Sequence, residues 1–254
     1  MSAPPHRLDG HHALVTGAGR GLGRGAALAL AELGAAVTAV ARSRPELDDV
    51  VAAIRAAGGR ADVRVADVRD EGQLEDAVAA ADATSPLSIL VTAAGVNRAG
   101  PTAGYATADW DLLCDVNIRG TFLACRAVGR RMLDRGAGGR IVTMSSQMGA
   151  VGYPGRAAYC ATKHAVNGLT KALAVEWARH GITVNAVAPT FVRTQLTAPL
   201  LDDPAFAAEV ARRLPGGELA AIEDVAAAVA FLVSDGARSV TGHVLAVDAG
   251  WTAW

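Results

Sequence analysis

Short β-branched apolar runs alternate with longer Ala- and Leu-rich segments along the whole chain. Few architectures accept that order: it is the pattern of repeated strand–helix units wound about a parallel sheet. The runs Ala13–Thr16, Ala36–Ala41, Asp62–Ala66, Ile89–Thr92, Arg140–Met144, Thr183–Ala188 and Val244–Val247 predict seven strands. Several are apolar throughout, as strands are when helices cover both faces of a sheet. Helical periodicity fits Leu22–Leu33, Pro45–Ala57, Glu71–Ala81, Thr107–Leu133, Ala157–His180 and Ile222–Leu232. Gly34, Gly58 and Gly181 each follow such a segment, where a left-handed residue commonly ends a helix. The expectation is an α/β chain folded as a single domain over 1–254, a doubly wound, seven-stranded parallel sheet with helices on both faces. Residues 189–217, which include Pro199, Pro204 and Pro215, carry no clean strand signal and read as one long irregular insertion, a lid.

Composition narrows the partner. At 254 residues, 51% hydrophobic and 19% charged, the chain has ample apolar material for one buried core, which argues against disorder. A formal net charge of −1 supplies neither a basic field for nucleic acid nor a polybasic patch for anionic lipid, so a small molecule is expected. No run reaches the ~18 unbroken apolar residues of a membrane span. The segment Met1–Gly10 is polar, carries Pro4 and Pro5, and lacks the apolar run of a signal peptide. Cys114, Cys125 and Cys160 form no C-x-x-C pair and no zinc spacing, so no metal is expected and a reduced, cytoplasmic compartment fits.

The first predicted strand runs directly into Thr16-Gly17-Ala18-Gly19-Arg20-Gly21-Leu22-Gly23, and a helix begins within it. Glycines let backbone approach a pyrophosphate, and the helix start supplies unpaired N–H groups and a partial positive charge. The spacing is G-x-x-x-G-x-G rather than the commoner G-x-G-x-x-G. At the first strand–helix junction it marks a Rossmann-type dinucleotide site. Sites selective for NAD usually end the second strand with an acidic residue that holds the ribose hydroxyls. From Gly34 to Pro45 there is no Asp or Glu, and the strand ends Val40-Ala41-Arg42-Ser43-Arg44. Arg20 and Arg42 suit a 2′-phosphate, so NADP is the expected cofactor, with NAD also admitted; the plain alternative is that Arg42 and Arg44 are solvated loop residues.

Tyr159-Cys160-Ala161-Thr162-Lys163 opens a strongly helical segment, so Tyr159 and Lys163 project from one face a turn apart. A free phenol has a pKa near ~10, and an adjacent ammonium favours the phenolate. Lys163 and Lys171 are the only lysines, which makes this pairing informative. Ser145-Ser146 ends the fifth predicted strand, where open α/β sheets bind ligands, and Ser146 suits a hydrogen bond to a reacting oxygen. Asn117 is a polar residue in an otherwise apolar helical stretch, where such residues often just satisfy nearby backbone.

Together these residues resemble the short-chain dehydrogenase/reductase family from His12 to about Trp251. The markers are Thr16-Gly17-x-x-x-Gly21-x-Gly23, Asp67, Ala93-Ala94-Gly95, Asn117, Ser146 thirteen residues before Tyr159, Tyr159-x-x-x-Lys163, Asn185, Pro189 and Thr194. The resemblance implies an NAD(P)-dependent oxidoreductase that interconverts a ketone and a secondary alcohol. In it Tyr159 is the general acid in reduction and the base in oxidation, while Ser146 positions the substrate oxygen. Lys163 binds the nicotinamide ribose and shifts the Tyr159 pKa, and Asn117 holds a water of the proton relay. Asp67 meets the adenine and Thr194 the carboxamide. By the same resemblance Gly17, Gly19, Arg20, Gly21, Leu22, Arg42, Val68, Ala94, Gly95, Pro189, Thr190 and Val192 contact the cofactor.

Two motifs depart from the family pattern. Thr92-Ala93-Ala94-Gly95 stands where Asn-Asn-Ala-Gly is usual, and Pro189-Thr190 where Pro-Gly is usual, leaving that backbone less free to bend. The resemblance also implies a homotetramer built through Thr107–Leu133 and Ala157–His180. The apolar end Ala249-Gly250-Trp251-Thr252-Ala253-Trp254 either adds to such a contact or packs on its own subunit. Gln147, Met148, Tyr153, Arg156 and the lid are expected to line the substrate. Gln147 and Arg156 flank the proposed Ser146 and Tyr159 and suit a polar keto-sugar or sugar acid; the plain alternative is that Arg156 is simply solvated. The alternatives are a 3-oxoacyl-thioester reductase working on acyl carrier protein and, outside enzymes, an NADP-sensing regulator that needs no proton relay.

Overall fold

A computed structural model describes residues 7–253 of the chain; residues 1–6 of the polar start and Trp254 of the apolar end lie outside the described residues. Seven strands form one sheet: β1 (His12–Thr16), β2 (Ala36–Ala41), β3 (Arg60–Val65), β4 (Ile89–Thr92), β5 (Gly139–Met144), β6 (Ile182–Pro189) and β7 (Val244–Val247). Their order is β3-β2-β1-β4-β5-β6-β7, and every pairing is parallel. Nine α-helices accompany them among the described residues: α1 (Gly21–Glu32), α2 (Arg44–Ala56), α3 (Glu71–Thr84), α4 (Thr107–Leu113), α5 (Gly120–Arg135), α6 (Ala157–Trp177), α7 (Ala198–Leu201), α8 (Pro204–Arg212) and α9 (Ile222–Val233). The seven predicted strands and five of the six helical segments are present with ends displaced by a few residues; the sixth, Thr107–Leu133, is divided.

Alternation within each strand divides the core. Ala13 and Val15 of β1, Ile89 and Val91 of β4, and Val142 and Met144 of β5 pack with α1, α2 and α9 on one face. Leu14, Leu90 and Ile141, one residue out of step, pack with α3, α5 and α6 on the other. Both faces are thereby covered, which is why the strands read as continuous apolar runs. The order of strands reverses between β1 and β4. There the connections leave in opposite directions, and their divergence opens a crevice at the carboxyl ends of the sheet.

Two expectations fail locally. The single helix expected over Thr107–Leu133 is interrupted by a π-helical turn, Cys114–Arg119, between α4 and α5. One wider turn inside a helix redirects the side chains it carries, and π turns occur often at functional sites. Here the redirected residue is Asn117, whose amide accepts from Val96 N–H at 2.9 Å and donates to Val96 C=O at 2.9 Å, across to the loop after β4. The segment 189–217 is not irregular throughout, since it contains α7 and α8 and a parallel bridge of Val192 to Ala220. Pro199 and Pro204, which read as breakers, lie in the first turns of these helices, where a missing N–H costs nothing. Asp203 then caps α8, accepting from Ala205 N–H at 2.9 Å.

Among the described residues no helix is long and apolar enough to cross a membrane.

Candidate active site and cofactor cleft

The crevice is built first by the turn after β1. Gly17 sits at φ +67 with its α-carbon against the next strand's exit, so that a Cβ there would lie 2.6 Å from Ala94 N. A Cβ on Gly23 would lie 2.2 Å from the Gly17 carbonyl oxygen. No side chain fits at either position, and the turn stays bare backbone. Helix α1 then begins with Arg20 as its N-cap, with no side-chain cap hydrogen bond and no acidic residue in its first turn. Its leading N–H groups and the positive end of its dipole are left for an anion.

From this turn the crevice extends both ways. Toward β5 and β6 it is lined by Gly17, Arg20, Gly21, Leu22, Gly95, Ser146, Tyr159, Lys163, Pro189, Thr190, Val192 and Thr194. Toward β2 and β3 it is lined by Gly17, Gly19, Arg20, Arg42, Asp67, Val68 and Ala94. Every residue expected to touch the cofactor therefore borders one arm or the other. The Thr190 hydroxyl oxygen is buried without a hydrogen-bond partner on the first arm, a polar atom left over for a ligand. Bare turn, uncapped helix end, orphan hydroxyl and paired arms fit a nicotinamide dinucleotide.

Helix α6 carries the reactive pair. Tyr159 lies in its first turn and Lys163 one turn on, with Lys163 Nζ 5.6 Å from the centre of the Tyr159 ring. Lys163 Nζ donates to the Met144 carbonyl at 2.8 Å, which ties the helix to the end of β5. A short 3₁₀ turn follows that strand, with Ser146 as its N-cap accepting from Met148 N–H at 3.2 Å. Asn117 completes the frame, its amide donating to Thr162 Oγ1 at 3.1 Å while Thr162 Oγ1 donates to the Tyr159 carbonyl at 2.8 Å. The Asn117 side chain is thus engaged with Val96 and Thr162, and it borders neither arm of the crevice.

Electrostatics here run opposite to the expected lowering of the phenol. Burial pushes Tyr159 up to about 12, against the downward pull of the Ser146 hydroxyl and of the Arg156 charge. Burial lowers Lys163 to about 8. At neutral pH the phenol holds its proton and the amine is charged. Helical spacing shows that the two groups are neighbours, but the desolvation that dominates the phenol depends on packing.

The expected substrate residues Gln147, Met148, Tyr153 and Arg156 stand outside both arms of the cofactor crevice. Tyr153 is turned to the 189–217 segment: its hydroxyl donates to Glu209 on α8 at 3.1 Å, and its ring meets Phe191 and Trp251. Arg213 stacks over both Tyr153 and Trp251. Trp251, 5% exposed, therefore packs within its own subunit. Gln147 is buried with both amide atoms unpartnered. Arg156 is 6% exposed, pairs with no carboxylate among the described residues, and makes one long hydrogen bond, to Asn97 Oδ1 at 3.4 Å. Asp67 borders the second arm with its carboxylate gripped by the Arg69 guanidinium at 2.7–3.1 Å, which holds its pKa down. Sequence reasoning missed Met144, Gln195, Leu196 and Thr197 on the first arm, Ser43, Glu46, Ala66 and Val116 on the second, and Val96 on both; Ser145, the neighbour passed over for Ser146, lines the first arm as well. Met144, Ser145, Ser43 and Ala66 stand at a strand end or within two residues of one, which is a usable signal; Glu46 lies one residue beyond the stretch searched for an acid.

A Rossmann sheet with a dinucleotide crevice and a Tyr–Lys pair at its nicotinamide end defines a nicotinamide-dependent oxidoreductase. A family model described as Enoyl-(Acyl carrier protein) reductase matches residues 17–252. Gluconate 5-dehydrogenase of Gluconobacter oxydans is 39% identical over 246 residues, covering 96% of both chains. Galactitol 2-dehydrogenase of Rhizobium johnstonii is 41% identical over 258 residues, covering 98% of this chain and 97% of its own. The crystal structure of a gluconate 5-dehydrogenase from Burkholderia cenocepacia in complex with NADP and tartrate superposes with a TM-score of 0.95 at 37% identity, covering 98% of each chain. The chain belongs to the short-chain dehydrogenase/reductase family, and its activity is NAD(P)-dependent oxidoreduction of CH–OH and C=O groups on a small molecule.

Proposed function

We propose that the protein is an NADP-preferring oxidoreductase that interconverts a ketone and a secondary alcohol on a sugar-acid substrate. Arg156 carries the choice of substrate class. The residue is 6% exposed and faces no carboxylate among the described residues, so a ligand carboxylate would give its guanidinium the charged partner it lacks. Its charge also acts on the Tyr159 phenol, three residues along the chain. Relatives named for gluconate and for 2-dehydro-3-deoxy-D-gluconate support that class; relatives named for galactitol and threitol define the neutral alternative. NADP preference is supported by Arg20 and Arg42 on the second arm and by NADP in related crystal structures.

In this reading Ser146 holds the substrate oxygen and Tyr159 gives it a proton during reduction or takes one during oxidation. Nicotinamide, when bound, supplies or receives the hydride. Lys163, anchored through Met144, presents its ammonium to the ribose, and Asn117 acts as a positioning residue that fixes Val96 and the first turn of α6. Residues 189–217 serve as a lid, hinged against the aromatic cluster of Tyr153, Phe191, Phe206 and Trp251. Trp110, Phe122 and Val175, exposed on α4, α5 and α6, support a homotetramer through those helices; light scattering that gives a monomer at micromolar concentration ends that part of the reading.

The test is a panel of gluconate, galactitol, their ketones and acetoacetyl thioester, followed by reduced-nicotinamide absorbance. Turnover is expected with the sugar acid and lost by a factor of about 10²–10⁴ in Tyr159→Phe. Full turnover in that variant overturns the proton-transfer assignment, and a preference for the thioester overturns the substrate class.

A further inference from the structure

We infer that Glu46 is the residue that limits discrimination at this cofactor site, favouring a free ribose 2′-hydroxyl against the 2′-phosphate that Arg20 and Arg42 attract. The inference rests on the NADP-preferring reading and deepens it. In sequence, Ser43-Arg44-Pro45-Glu46 has the form of a helix capping box, which would give Glu46 a purely structural task. That box is not made. Ser43 is the N-cap of α2, but no side-chain cap hydrogen bond forms there. Glu46 is turned toward the glycine turn instead: a Cβ built on Gly19 would lie 2.9 Å from Glu46 Oε2 and 3.0 Å from its Cβ. Gly19 therefore leaves room for this side chain, and the carboxylate borders the arm of the crevice that also carries Arg20 and Arg42.

The charges at this arm are unequally engaged. Arg44 is held by Asp48 at 2.8 Å on the helix surface. Arg42 pairs with no carboxylate among the described residues. Arg20 Nη1 stands 3.8 Å from Glu46 Oε1, beyond hydrogen-bond reach, with both side chains substantially exposed. Such a pair is weak and easily parted. A 2′-phosphate entering here gains two guanidinium groups but meets one carboxylate that repels it and competes for Arg20. A plain ribose brings hydroxyl groups that a carboxylate accepts from, the task an acidic residue performs at NAD-selective sites. With Glu46 present the site favours the phosphorylated dinucleotide less than its arginines alone would dictate.

Binding of nucleotide fragments tests this without turnover. Isothermal titration with 2′,5′-ADP and with 5′-ADP is run on wild type, Arg42→Ala and Glu46→Gln at low and high salt. Wild type is expected to favour 2′,5′-ADP, and Arg42→Ala to lose that preference. Glu46→Gln is expected to raise the ratio of affinities by about three- to tenfold at low salt, the scale of one partly screened charge, and by less at high salt. A Glu46→Gln ratio within twofold of wild type overturns the role of Glu46 and leaves NADP preference standing. A wild type that favours 5′-ADP overturns the preference, while the shift in Glu46→Gln still reads the charge effect. Should Glu46→Gln fail to fold, Glu46→Asp retains the charge at the helix start and withdraws it from the cleft. It must then move the ratio in the same direction, and an unchanged ratio overturns the inference.

Discussion

Replacing Arg156 by Gln separates the sugar-acid reading from its neutral rival, because the two assign opposite values to the same guanidinium. The side chain is 6% exposed and its one hydrogen bond is long, 3.4 Å to Asn97 Oδ1. If its purpose is to receive a carboxylate, the variant loses a charge-assisted hydrogen bond of about 1.5–3 kcal/mol, which is about 10- to 150-fold in kcat/KM for gluconate. Galactitol, with no carboxylate, should lose less than about threefold. Folding should not suffer, since an unpaired buried cation costs stability; Tm should hold or rise by about 2–4 °C per kcal/mol gained. Arg156 is also one of two influences that pull the Tyr159 phenol down, so the pH dependence of alcohol oxidation should move to higher pH. Steady-state kinetics on the two substrates, with calorimetry of the apo-protein, measure all three effects. Equal losses on gluconate and galactitol, together with a lower Tm, would show that Arg156 supports the loop around Asn97, and the substrate argument would fall.

Two further outcomes follow from the same geometry. Because burial pushes Tyr159 to about 12, its phenolate fraction rises with pH throughout the neutral range, so oxidation should accelerate by up to about tenfold per pH unit. Reduction uses the protonated phenol and should stay level until Lys163 begins to lose its charge near 8; oxidation that slows between pH 6 and about 7.5 would contradict this. Gly23→Ala places a Cβ 2.2 Å from the Gly17 carbonyl, on backbone that cannot withdraw without deforming the turn. It should cost about 1–3 kcal/mol of stability and most of the dinucleotide affinity, read by thermal melting and fluorescence titration; wild-type affinity would show that the turn does not hold the cofactor.

Much of this protein is readable before any coordinates. Period-two and period-3.6 patterns, a glycine turn at the first strand–helix junction and a Tyr–Lys pair one helical turn apart are local facts. Each is written within a dozen or so consecutive residues, so the sequence by itself determined seven parallel strands, covering helices, and the identities of Tyr159, Lys163 and Ser146 as one candidate constellation. What tertiary structure alone decided involves residues distant in the chain or the exclusion of water. The π turn that aims Asn117 at Val96, the pairing of Tyr153 with Glu209 of α8, and Glu46 over Gly19 all follow from packing between segments. So does the raised phenol: desolvation outweighs the pull of Ser146 and of the Arg156 charge, and it depends on how other segments close around the ring.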